Sequence, residues 1–291
     1  MRDFSPSTCN GRGECSTDPV HSTRAGSLLL FFLMSYVITW ICFISVAVAI
    51  PASTPVGYLL VLLGAFAPSF VAISLSARTE GATAVRVLLR RVVKWRVDWR
   101  WYVFAATYTV ALKLTVALIH RAVTGVWPHF GTTPWYIIPV AIVFSTPFQA
   151  GEEVGWRGYA LPRLAARFGL ARASVLLGLI WALWHLPQFF IREGDTYKQS
   201  FFVFAIEVVA LSVALAWLYA TTKGSLLLTM LLHSAVNNSK DIVPSAGPGA
   251  THVFGFSASL VAWIFSGVLW LCAAYFLTHM PELESSQASS T

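Results

Sequence analysis

The chain has 291 residues, 56% of them hydrophobic and only 11% charged, against about a quarter charged in ordinary soluble domains. That balance excludes a soluble enzyme and indicates a polytopic membrane protein. The net charge of +7 does not indicate a nucleic-acid partner, because Lys and Arg sit in the connections between apolar runs, where they signal orientation. The cysteines Cys9, Cys15, Cys42 and Cys272 form no CxxC pair and no zinc-finger spacing.

A spanning helix needs about 20 mostly apolar residues. By that measure the chain reads as an all-α protein, an eight-helix transmembrane bundle. A polar tail, 1–26, comes first. The run after it is longer than the ~7–15 residues of a secretory h-region, so it reads as a span rather than a signal. The first two spans cover about 27–50 and 55–77. A basic loop, 78–100, follows, in which Val85, Leu88, Leu89, Val92 and Val93 recur at helical spacing, as in an amphipathic helix at the membrane surface. The later spans cover about 101–123, 135–161, 173–190, 201–220, 225–238 and 254–277. The transmembrane domain thus runs 27–278, and an acidic, Ser-rich tail, 279–291, is expected to be disordered.

With the N-terminus in the cytoplasm, the tail, the 78–100 loop, the stretch from Arg157 to Arg172 and Lys223 hold most of the Lys and Arg. The outer loops keep Arg121, Arg192, Lys198 and Lys240. Both termini are therefore expected in the cytoplasm of a multi-pass protein of the cell (plasma) membrane.

Ionisable groups inside that domain are the functional signal, since each costs at least ~2.5–3.5 kcal/mol at a helix centre. Glu152 and Glu153 end the apolar run of the fourth span, with Arg157 four residues after Glu153 in the favourable order. Neighbours on a helix point about 100° apart, so Glu152 is assigned the chemistry and Glu153 with Arg157 its support. His185 follows Trp181 in the fifth span. His233 and Asn237 in the seventh share one helix face and present donors side by side, which suits an oxyanion site. Counted from a cytoplasmic helix end at Leu161, before Pro162, Glu152 lies about nine residues or ~14 Å deep. His233 comes to the same level, and His185 lies about a turn deeper. Lys113 and Glu207 are further intramembrane charges, and no spacing gives them a role.

These residues resemble the type II CAAX prenyl endopeptidase and bacteriocin-processing (CPBP, or Abi) family of intramembrane metalloproteases. Its first motif, two glutamates and an arginine, is met by Glu152, Glu153 and Arg157. Its second is met at His185, with Trp181 where phenylalanine is usual, and its third at His233 and Asn237. The match covers about 150–240. It implies a bundle enclosing a cavity open to the cytoplasm, in which Glu152 and His185 activate a water and His233 and Asn237 steady the oxyanion.

The residues by themselves suggest the same division: a carboxylate base in a low-dielectric site with N–H donors opposite. Glu152, His185 and His233 could instead serve as three ligands to a divalent ion such as zinc, with a fourth position for water, although no HExxH is present. No organic cofactor is expected. The leading expectation is an endopeptidase acting on membrane-associated peptides or proteins, by CAAX-type or leader- or pheromone-type processing. The alternatives are a non-proteolytic bacteriocin-immunity or scaffold protein of the same fold, and a transporter.

Overall fold

In a computed structural model that describes residues 19–245 and 252–283, every regular element is a helix. Most of the 1–26 tail, with Cys9 and Cys15, and 284–291 of the tail expected to be disordered lie outside the described residues. The helices are α1 (Pro19–Val48), α2 (Pro55–Thr79), α3 (Gly81–Val92), α4 (Trp99–Thr124), α5 (Ile137–Ser145), α6 (Ala150–Glu153), α7 (Leu161–Phe168), α8 (Leu170–Trp184), α9 (Phe201–Thr221), α10 (Leu226–Asn238) and α11 (Leu260–Thr278). Among the described residues, six stretches are long and apolar enough to cross a membrane: Ser27–Val48, Pro55–Thr79, Trp99–Thr124, Leu170–Phe190, Phe201–Thr221 and Leu260–Thr278. Large apolar side chains such as Leu29, Leu33, Ile41, Leu118 and Leu271 point outward, while Thr39, Lys113, Glu153, Arg157 and His233 are buried. That inverted distribution suits a lipid surroundings.

Most expected spans differ from the observed helices by a few residues, but three expectations need correction. The expected 135–161 helix is broken. A 3-10 turn, Thr146–Gln149, joins α5 to α6, and a π-turn, Val154–Ala160, joins α6 to α7. The helix also does not end at Pro162. That residue occupies the first turn of α7, where a missing N–H costs nothing, and the chain turns only at Gly169, whose φ of 75° favours glycine. Counting depth from Leu161 therefore does not measure the distance to the end of the bundle. Finally, the last helix begins at Leu260 rather than near 254. Residues before it are tied to α9 by Phe201 N–H on the Val253 carbonyl at 2.8 Å, and Ser259 caps the helix through the Ala262 N–H.

Each break frees backbone carbonyls, and side chains of neighbouring helices collect them. Pro68 lies inside α2 and cannot donate to the Gly64 carbonyl, which accepts from Thr39 Oγ1 of α1 at 2.7 Å. At the end of α8 the chain tightens into a 3-10 turn, Leu186–Phe190, and the Trp184 carbonyl accepts from Trp40 Nε1 at 3.2 Å. The expected amphipathic helix is α3, with Leu88 buried and Arg91 donating to Tyr219 Oη at 2.7 Å. Lys113 of α4 has a structural role: its Nζ donates to the Val243 carbonyl (3.1 Å) and Ser245 Oγ (2.8 Å) and lies 4.1 Å from the Phe265 ring centroid. It ties α4 and α11 to the segment leaving α10. Glu207 of α9 accepts from Ser266 Oγ of α11 at 3.1 Å.

The helix pair that positions the site is α2 against α6 and the π-turn. Gly151 and Gly155, four residues apart, make room for α2, the first for the Phe66 ring and the second for the Pro68 backbone, as small residues do between membrane helices. A Cβ on Gly155 would stand 2.6 Å from Pro68 Cβ and 2.7 Å from the Pro68 backbone, so something must move. Gly155→Ala is expected to cost about 1–3 kcal/mol as an overpacked contact. A thermal midpoint in detergent equal to wild type would contradict it.

Outside the spans, Asp241 clamps two loops. Its carbonyl accepts from Gly131 N–H at 2.9 Å, and its carboxylate from Thr133 N–H at 2.7 Å. Those Thr133 hydrogen bonds hold the Asp241 carboxyl below the usual carboxylate range. A depressed folded-state pKa adds stability above the unfolded value and loses it as pH falls through the folded one. Asp241→Ala should therefore be less stable than wild type at neutral pH, with the gap closing below about pH 4, the ordinary range of an aspartate. A gap independent of pH in thermal scans would refute this.

Candidate active site

Three separate stretches of chain bring the polar groups together: the α5–α7 stretch, the end of α8, and α10. The i,i+4 spacing places Glu153 and Arg157 on one face, and Arg157 Nη1 donates to Glu153 Oε1 at 2.9 Å, both side chains fully buried. The same oxygen accepts from His233 Nδ1 of α10 at 2.9 Å. Because a carboxylate only accepts, His233 carries its proton on Nδ1. The Arg157 guanidinium also lies 4.1 Å from the Trp181 ring centroid.

Glu152 points elsewhere, as the turn between neighbours requires. Its Oε2 accepts from Trp181 Nε1 at 2.7 Å and lies 3.9 Å from His185 Nε2. His185 caps the C-terminus of α8 and is 8% exposed. Its Nδ1 donates to the Trp181 carbonyl at 2.7 Å, which leaves Nε2 as an acceptor in the neutral ring. The rings of Trp181 and His185, and of Trp181 and His233, have centroids 5.3 Å apart, edge to face.

On α10, His233 and Asn237 share the face toward α6 and the turn before it. Asn237 Nδ2 donates to Gln149 Oε1 at 3.2 Å, a partner that sequence reasoning did not find. Gln149 stands three residues before Glu152 in an apolar stretch, and the cost of a buried carboxamide is the signal that could have found it. One residue round the helix, Ser234 and Asn238 stitch α10 to α5: Ser234 Oγ donates to the Ile142 carbonyl (2.6 Å) and Asn238 Nδ2 to Ser145 Oγ (2.7 Å). All seven residues expected at the site thus lie within one connected region. The three expected metal ligands do not converge, however. Among the described residues no group of three His, Cys, Asp or Glu is placed to hold an ion.

Breaking one side of a buried ion pair costs about 3–5 kcal/mol, because the other charge is left uncompensated. Arg157→Ala should therefore yield far less folded protein than wild type. The neutral double variant Glu153→Gln/Arg157→Met should recover part of the loss in thermal unfolding. A double variant less stable than the single one would contradict this.

Residues 131–239 match the family described as type II CAAX prenyl endopeptidase, Rce1-like, and that segment contains every residue of the site. The chain is also 26% identical over 232 residues to CAAX prenyl protease 2 of Methanococcus maripaludis, covering 74% of this chain and 84% of that protein. Buried carboxylate, imidazole and carboxamide groups on apolar helices fit that match, and over 131–239 the chain is similar to the type II CAAX prenyl endopeptidase family of membrane proteases.

Proposed function

We propose that the chain hydrolyses a peptide bond of membrane-associated peptides or proteins, of the CAAX type, with a water held between Glu152 and His185. The observation that carries this is their separation. At 3.9 Å, Glu152 Oε2 and His185 Nε2 are too far apart for a direct hydrogen bond and close enough for one water to join them. Both are acceptors, so the water donates both hydrogens and keeps its oxygen lone pairs free. Its oxygen bonds to the scissile carbonyl carbon as Glu152 takes one proton. The C–N bond then breaks, and that proton goes to the leaving amine.

The developing oxyanion needs donors. Asn237 has an amide N–H beyond the one given to Gln149, and with Nδ1 of His233 engaged by Glu153, its Nε2 donates only in the imidazolium form. Glu153 and Arg157 serve as the frame holding His233. We route no step through a metal, since among the described residues no three of His, Cys, Asp or Glu are placed to hold one ion. The proposed setting is the cell membrane, as an eight-helix bundle with both termini in the cytoplasm and the site opening to that side. The name of the methanogen relative supports a prenylated C-terminal substrate, and leader or pheromone peptides are the other processing class.

The test is cleavage of a farnesylated CAAX peptide by the purified protein in liposomes, followed by mass spectrometry. Glu152→Gln should lower kcat by about 10²–10⁴, the range of a general base. Asn237→Ala should lower it by about 10²–10³, as for one oxyanion donor. Phenanthroline should leave the rate unchanged. Equal cleavage by wild type and Glu152→Gln would overturn the mechanism, and loss of activity with chelator would restore a metal.

A further inference from the structure

The geometry points to Trp181 as the positioning residue of the reaction, with its indole N–H holding the Glu152 carboxylate in register with His185. This inference rests on the endopeptidase reading and adds to it a group that the matching motif does not supply, since phenylalanine is usual at that place. Trp181 contacts Glu152, His185, Arg157 and His233. Its Nε1 donates to Glu152 Oε2 at 2.7 Å, and its carbonyl fixes the His185 tautomer by accepting from Nδ1 at 2.7 Å. Its ring lies under the Arg157 guanidinium and edge to face with His233.

The N–H bond is the part that a phenylalanine cannot make. A glutamate side chain has three rotatable bonds, and the polar atom that Oε2 would bridge to, His185 Nε2, is 3.9 Å away, too far to hold it directly. The indole N–H supplies a hydrogen bond to a charged acceptor, stronger than a neutral one. Trp181 itself is held rigidly, being 3% exposed on α8 with Arg157 against its face. A fixed donor on a fixed helix therefore sets where the base stands relative to His185 on the same helix. The indole takes no part in bond making. It restricts Glu152 to the rotamer from which a shared water can be polarised, so its effect belongs in kcat rather than in KM.

Two replacements remove the donor while keeping an aromatic body: Trp181→Phe, and the isostere in which benzothienylalanine replaces Trp181. Each is assayed in liposomes with the same farnesylated peptide, together with its thermal midpoint. The expected result is a kcat lower by about 10- to 100-fold in both, the size of one charged hydrogen bond, with KM within twofold of wild type. The benzothienyl isostere keeps the ring shape and carries the test should Trp181→Phe fold poorly. Wild-type kcat in the isostere would overturn the proposal, showing that shape alone matters. A rise in KM at unchanged kcat would also overturn it. Failure of the underlying reading is seen separately, as cleavage that survives Glu152→Gln.

Discussion

The Glu153 carboxylate, shared by Arg157 and His233, is the interaction on which the rest of the site depends. It joins the α6–α7 stretch to α10 through one oxygen, with bonds of 2.9 Å on each side. In a buried, low-dielectric setting neither charge is tolerable alone, so the three groups are kept together or lost together. Once Glu153 is committed inward, the helical turn between neighbours directs Glu152 to the other side, toward Trp181 and His185. The adjacent carboxylates thus meet different partners, separated by backbone geometry alone.

The irregular backbone around them follows from the same demand. A straight helix through 135–161 would not deliver Gln149, Glu152 and Glu153 to their observed partners. The 3-10 and π-turns at Thr146–Gln149 and Val154–Ala160 alter the rotation of successive residues, and such turns are tolerated in a membrane where the freed groups face protein. Close contact with α2 at Gly151 and Gly155 holds this stretch in place. Lys113 and Asp241 do similar work at the far end of α10, gripping the segment that follows Asn238.

Sequence was informative where spacing alone determines contact. The four-residue spacing places Glu153 on Arg157 and His233 on the face of Asn237, and apolar length located the long spans before the last to within a few residues. It was uninformative where a contact depends on a break in regular structure or on a distant segment. The 135–161 run looked continuous because its apolar character hides Pro147 and the π-turn. The donor on Glu152 comes from Trp181, whose place in the motif suggested only bulk. Lys113 finds the Val243 carbonyl 130 residues along the chain, which no local pattern encodes.

A water shared by Glu152 and His185 would be seen directly in an experimental structure, by crystallography or electron microscopy, at a resolution that shows ordered solvent there. One solvent atom is expected within hydrogen-bond distance of both Glu152 Oε2 and His185 Nε2, with Trp181 Nε1 still on that carboxylate. An ion bound jointly by Glu152, His185 and His233, or a Glu152 side chain turned away from His185, would contradict it.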